Sequence, residues 1–194
     1  MKERFESEGF EHFGAMHPRT SSARLAPEWN RPGDFVLTHG SHWMNHLISF
    51  GQALRFRGAD RKYAYWNHAA LIVGANGDII EALAANPGVV QQNLSKYAPG
   101  EYTVVRVTAS PEDRGEAVDF ARSCLAEPYG ALTVVSIALS LLTGTRFSFG
   151  FEGQTICSGL VARALERTRA IFKAEPSHMM PADLAKAYGV TPPG

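Results

Sequence analysis

The sequence predicts an α+β domain in which helices pack against an antiparallel sheet. Three observations predict it. Short apolar or β-branched runs cluster between residues 67 and 107; an Asn76-Gly77 dipeptide separates two of them; and helical periodicity is confined to 41–56 and to the chain beyond 111. With 194 residues and 45% hydrophobic content, the chain is long enough for one well-buried core and only marginally long enough for two. One domain over residues 31–194 is therefore expected, preceded by an arm over 1–30 that mixes charges, His12, His17, Pro18 and Pro27 without sustained periodicity.

Taken in order, Pro32-Gly33-Asp34 is a turn signal and Phe35-Val36-Leu37-Thr38 a short strand. Residues 41–56 predict a helix with Ser41 as its N-cap and Trp43, Leu47, Ile48, Phe50 and Leu54 as its apolar positions. Arg55, Arg57, Arg61 and Lys62 form a basic cluster that reads as a solvated loop. Residues 67–73 are a strand, Asn76-Gly77 favours a two-residue hairpin turn, and residues 78–83 form the return strand. Residues 89–92 and 102–107 add two strands around a Pro99-Gly100 turn. Pro111 opens a helix to about residue 125, with Glu112 and Asp113 in the first turn, where negative charge complements the helix dipole.

Residues 131–142 form an apolar run too short to span a bilayer, and a buried helix is expected there. In the next helix Leu160, Val161, Ala164 and Leu165 repeat at the three-and-four spacing of one face. Residues 181–188 give a last short helix ending near Gly189.

Composition narrows the function classes. Nineteen basic residues balance nineteen acidic ones, so no net field draws the chain to nucleic acid or an anionic surface. Two cysteines, Cys124 and Cys157, make neither a disulfide framework nor a zinc spacing. Residues 1–6 are charged and carry no apolar stretch, so no secretory signal is read there and a reducing, cytoplasmic location is expected.

Cys157 stands where a coil meets a helix. Unpaired N–H groups and the macrodipole at that position favour a thiolate, the reactive form. A thiolate nucleophile needs a base and a polar group to orient it. His68 is the natural base, because an imidazole among Ala70, Leu71 and Ile72 is costly to bury without a partner. Glu81 is the matching acid on the return strand. A two-residue turn pairs Ile72 with Glu81, which puts Glu81 on the face of His68 but four residues away, about 13 Å along the strand. Either the hairpin bulges, or Asn86, Gln91 or Gln92 orients His68. His39, His42 and His46 offer a rival metal set, with His42 and His46 one helical turn apart, but no carboxylate completes it. No cofactor motif is present.

In the order Pro32-Gly33-Asp34, Asn67-His68-Ala69, Ile80-Glu81-Ala82 and Ile156-Cys157-Ser158-Gly159, closed by Pro181-Ala182-Asp183-Leu184, residues 31–188 resemble the circularly permuted branch of the NlpC/P60 papain-like superfamily, nearest the YiiX/YaeF type. The resemblance implies a permuted papain-like fold with Cys157 as nucleophile, His68 as general base and Glu81 as the residue orienting it. It also implies a cysteine hydrolase, an amidase, peptidase or esterase, acting on a peptide, a peptidoglycan fragment or an acyl lipid. Two alternatives accompany it. One is an acyltransferase or phospholipase like the lecithin:retinol acyltransferase relatives, with residues 131–142 at an acyl chain or a membrane surface, although those relatives carry Asn-Cys-Glu where this chain has Ile-Cys-Ser. The other is a catalytically silent binding module of the same fold.

Overall fold

In the computed structural model the described residues are 30–40, 43–83, 88–98, 101–127, 156–170, 172 and 175–193. Strands β1 (Phe35–Thr38), β2 (His68–Ile72), β3 (Asp78–Leu83), β4 (Gly88–Asn93) and β5 (Tyr102–Val105) form one sheet in the order β4-β3-β2-β1-β5. Every neighbouring pair is antiparallel. Helices α1 (Trp43–Arg55), α2 (Pro111–Ser123), α3 (Cys157–Glu166) and α4 (Pro181–Ala187) accompany it, so the described architecture is α+β.

The sheet is covered on both sides, which is why β1 and β2 read as continuous apolar runs. Phe35, Leu37, Ala69, Leu71 and Ile80 face α2 and α3, where Ala117, Val118, Ala121, Leu160, Val161, Ala164 and Leu165 are buried against them. Each fully buried Leu, Val or Phe of this layer contributes about 1.5–3 kcal/mol. Val36, Ala70, Ile72 and Ile79 point the other way, under Leu94 and the partly buried Tyr97, Tyr102 and Val104. A short 3-10 helix, Leu94–Lys96, supplies that second cover. It starts where the Asn93 side chain accepts the Ser95 N–H at 3.0 Å, ending β4 and folding the chain back over the sheet.

The β2–β3 hairpin differs from the two-residue turn that Asn76-Gly77 predicts. Gly77 N–H donates to the Gly74 carbonyl at 3.1 Å, so Ala75 and Asn76 occupy the centre of the turn and Gly77, at φ +85°, follows as a left-handed third residue. In addition, Val73 and Gly74 both donate to the Asp78 carbonyl, at 2.8 and 3.2 Å, so two residues oppose one. The extra loop residue and the bulge each displace the pairing by one. The ladder therefore pairs Leu71 with Ile80 and Ile72 with Ile79, two residues from the predicted register and on the same faces. Gly74 is required there: a Cβ would lie 2.5 Å from Asp78 Oδ2 and 2.9 Å from Asp78 Cβ.

Two buried polar side chains tie the layers together. Asp34, wholly buried, accepts from Arg106 and Arg114 at 2.7 Å each and from the Val107 N–H at 3.0 Å, fixing the start of β1 to the segment after β5 and to α2. Gln52 donates to the Trp66 carbonyl at 2.8 Å and accepts the Ala182 N–H at 2.8 Å, so a side chain of α1 caps the first turn of α4.

Element bounds otherwise follow the sequence closely. The basic cluster expected to be a loop is instead divided: Arg55 ends α1, Arg57 precedes a 3-10 helix, Gly58–Tyr65, that carries Arg61 and Lys62, and in that helix Asp60 pairs with Lys186 at 2.6 Å. The expected 1–30 arm up to residue 29, the Ser41 cap, the Pro99-Gly100 turn and the 131–142 helix lie outside the described residues.

Candidate active site

Helix α3 begins at Cys157, with Ile156 as an extended N-cap whose side chain makes no capping bond. The first-turn N–H groups therefore have no side-chain acceptor at the cap. The helical stripe seats Cys157 on the same buried side as Leu160, Val161 and Ala164, so the thiol arrives at the first residue of β2. Ser158, next in the chain, turns away and donates its hydroxyl to the Met179 carbonyl at 2.5 Å.

His68 opens β2, opposite Thr38 of β1. The preceding residue fixes that position. Asn67 accepts the Gly40 N–H and donates to the Gly40 carbonyl, both at 2.9 Å, and its own N–H donates to the Thr38 carbonyl at 3.1 Å. The segment leaving β1 and the segment entering β2 are thus locked side by side.

Continuing the observed register sets Glu81 opposite Ala70, diagonal to His68, a spacing of about 7–8 Å that two long side chains bridge. They do: His68 Nε2 lies 2.7 Å from Glu81 Oε2. The 13 Å separation expected from a two-residue turn is thereby corrected, and the physical cause is the bulged three-residue loop. Of the alternatives for this contact, Gln91 is exposed on β4 and pairs with Ile80, Gln92 pairs with Ile79, and Asn86 lies outside the described residues.

Two residues that the sequence did not single out complete the cluster. Tyr97 donates its hydroxyl to Glu81 Oε2 at 2.6 Å, and the Lys96 ammonium pairs with Glu81 Oε1. The signal for them was present in Asn93-Leu94-Ser95-Lys96-Tyr97. Leu94 and Tyr97 are three apart, so a 3-10 turn sets both over the sheet, and the intervening Lys96 is carried to the sheet end.

Cys157 is 2% exposed, His68 7% and Glu81 0%, so the charges of this cluster act on one another with little screening by water. Burial alone would raise the Cys157 thiol. The positive His68 beside it and a hydrogen bond from His68 outweigh that, with the Ala69 and Ser158 backbone N–H groups adding to them, and hold the thiol below its ordinary range. Burial likewise disfavours an imidazolium, yet the Cys157 thiolate and the Glu81 carboxylate together raise His68 from 6.5 to about 10. Glu81, despite its burial, is held down from 4.5 to about 2 by His68, Lys96 and Tyr97. With Nε2 engaged by Glu81, Nδ1 is the ring nitrogen left for the thiol. The arrangement can carry a thiolate–imidazolium pair across the neutral range and move a proton at Nδ1.

Cys124 has the opposite environment. It is buried at the end of α2, and burial together with Glu127 pushes its thiol up to about 11. Of the histidines in the rival metal set, His39 holds the Tyr65 carbonyl at 2.6 Å with Nδ1 and stacks on the Tyr65 ring at 4.2 Å, and His46 is exposed on α1. His42 lies outside the described residues. Among the described residues no group of three or more His, Cys, Asp or Glu side chains is set to hold a metal ion, and no helix is long and apolar enough to cross a membrane.

A scan against protein-family models finds no match to this chain, and a search of the curated proteins finds none either.

Proposed function

We propose that the chain is a thiol hydrolase of the permuted papain-like type, cleaving an amide or ester through an acyl-enzyme on Cys157. The observation that carries this proposal is the single imidazole of His68, bound by Glu81 at 2.7 Å through Nε2 and paired with the Cys157 thiol. A nucleophile, a base and a residue that fixes the base in one tautomer then stand in sequence, as covalent acyl transfer requires.

In the proposed reaction the Cys157 thiolate attacks the carbonyl carbon, and the electron pair of the carbonyl moves onto oxygen. First-turn N–H groups of α3 are the donors for that oxyanion, since a helix N-terminus favours negative charge and Ile156 at the N-cap offers no side-chain acceptor. Collapse of the tetrahedral species expels the leaving group, which takes the proton from Nδ1 of His68. Neutral His68 then accepts a proton from water as that water attacks the thioester, and the carboxylic acid departs with the thiolate restored. Glu81 remains a carboxylate and keeps Nε2 protonated throughout.

A substrate class follows from the resemblance and not from the site geometry: a peptide, a peptidoglycan stem or an acyl lipid. The test is incubation with an activated p-nitrophenyl ester followed by intact-protein and peptide mass spectrometry. The expected result is a burst of nitrophenol and an acyl adduct on Cys157, absent in Cys157→Ser and absent from Cys124. An adduct on neither cysteine, or equally on both, would contradict the proposal and favour a binding module.

A further inference from the structure

Tyr97 and Lys96 lie in the turn that follows β4, outside both α3 and β2 in sequence, yet both end on the carboxylate that orients His68. We infer that Tyr97 and Lys96 are positioning residues of this site, a two-point clamp that takes one Glu81 oxygen each and leaves Oε2 aimed at His68 Nε2. The inference rests on the thiol hydrolase proposal, because positioning has meaning only if Cys157 and His68 act as a pair.

The clamp follows from geometry. Glu81 is wholly buried, so its carboxylate has no water to lean on and its orientation is set by its partners alone. Tyr97 and His68 share Oε2, at 2.6 and 2.7 Å, while Lys96 takes Oε1. Two donors on one oxygen and a cation on the other define the carboxyl plane, and with it the direction in which His68 is held. The Thr38 side chain lies beside the Tyr97 hydroxyl. Thr38 is the cross-strand partner of His68, so the clamp closes on the strand pair it serves. The Lys96 ammonium also lies over the Tyr97 ring, 5.0 Å from its centroid, which holds the two clamp residues together.

The groups facing Glu81 are His68 from β2 and Lys96 and Tyr97 from the turn after β4, with Cys157 of α3 across the imidazole. Its partner on β4, Val90, is apolar. All the donors favour the ionised carboxylate, and each one lost makes protonation of Glu81 easier. Once Glu81 takes a proton, the imidazolium, still protonated at that pH, loses the hydrogen bond at Nε2 that holds it, and the thiolate loses a partner fixed in place. The loss is therefore read at Cys157, on the acid side of its reactivity profile.

The test is the pH dependence of iodoacetamide alkylation at Cys157, in the full chain and in Tyr97→Phe, Lys96→Met, Lys96→Arg and His68→Ala, with thermal melts run alongside. Removing one donor from a charged acceptor is expected to raise the acid-side midpoint by about one pH unit, or about tenfold in thiolate fraction on that limb. Lys96→Arg, which keeps a cation, should leave the midpoint in place. If Tyr97→Phe and Lys96→Met lower the melting temperature without moving the midpoint, while His68→Ala displaces it, the clamp is structural only and the inference is overturned. A midpoint that His68→Ala also leaves in place would overturn the underlying pair itself. Lys96 is partly exposed, so Lys96→Met folds without refilling a core and keeps the test decisive even if Tyr97→Phe is poorly expressed.

Discussion

Replacing Glu81 by glutamine removes one charge and almost no volume from the most buried point of the cluster. Three polar groups are left facing an amide: His68 Nε2 and the Tyr97 hydroxyl on the Oε2 side, and Lys96 on the Oε1 side. A hydrogen bond to a charged group is worth about 1.5–3 kcal/mol, and breaking one side of a buried ion pair costs about 3–5 kcal/mol because the remaining charge stays desolvated. For a chain of this length that is a fall in melting temperature on the order of 10 °C.

The cost also depends on pH with a defined sign. Glu81 is lowered from 4.5 to about 2, so its contribution is complete above pH 4.5 and is lost as pH falls toward 2. His68 is raised from 6.5 to about 10, so its contribution is complete below pH 6.5 and is lost as pH rises toward 10. The stability gap between the parent chain and Glu81→Gln should therefore be widest between pH 4.5 and 6.5 and narrow on both sides. Urea denaturation at a series of pH values measures it. A gap that is absent, or that is constant from acid to alkaline pH, would refute the claim that Glu81 and His68 are a charged pair in the folded state.

Two further outcomes follow from the frame around the site. Asp34→Ala should destabilise the fold by about 3 kcal/mol, seen as a lower urea midpoint, because it strands the Arg106 and Arg114 guanidinium groups and the Val107 N–H. It should leave the pH profile of Cys157 alkylation unchanged, since Asp34 lies at the opposite end of β1 from Thr38 and His68. Gly74→Ala should act in the reverse sense. A Cβ there meets Asp78 Oδ2 at 2.5 Å, so the bulge opens, the register slides toward that of a two-residue turn, and Glu81 is drawn away from His68. Cys157 should then lose reactivity at neutral pH, and a profile identical to the parent's would show that the bulge does not set the contact.

Much of this cluster was legible in the sequence. Cys157 at the head of an amphipathic stripe and His68 at the mouth of an apolar strand are local signals, and both rest on the cost of placing a polar group where the pattern buries it. The pairing of Glu81 with His68 was not legible, although their common face was. Period-two alternation fixes the face of a strand residue, but the distance along the strand depends on loop length and on bulges. Here Asn76-Gly77 favours a tight turn, while the close packing of Gly74 on Asp78 adds a bulge that no pairwise turn preference encodes. Lys96 and Tyr97 were not legible because their turn lies just beyond a strand whose sequence pattern ends at Gln92. Only the Asn93 side chain on the Ser95 N–H marks the change of direction.

The most direct test of the central claim is the pH dependence of iodoacetamide alkylation at Cys157, compared between the intact chain and His68→Ala. The account predicts a reactive thiolate well below the ordinary midpoint of about 8.5. Without His68 the midpoint should climb past that value, because burial is then the dominant influence on the thiol. An ordinary midpoint in the intact chain, or one that does not move when His68 is removed, would mean that the two residues do not act as a nucleophile and its base.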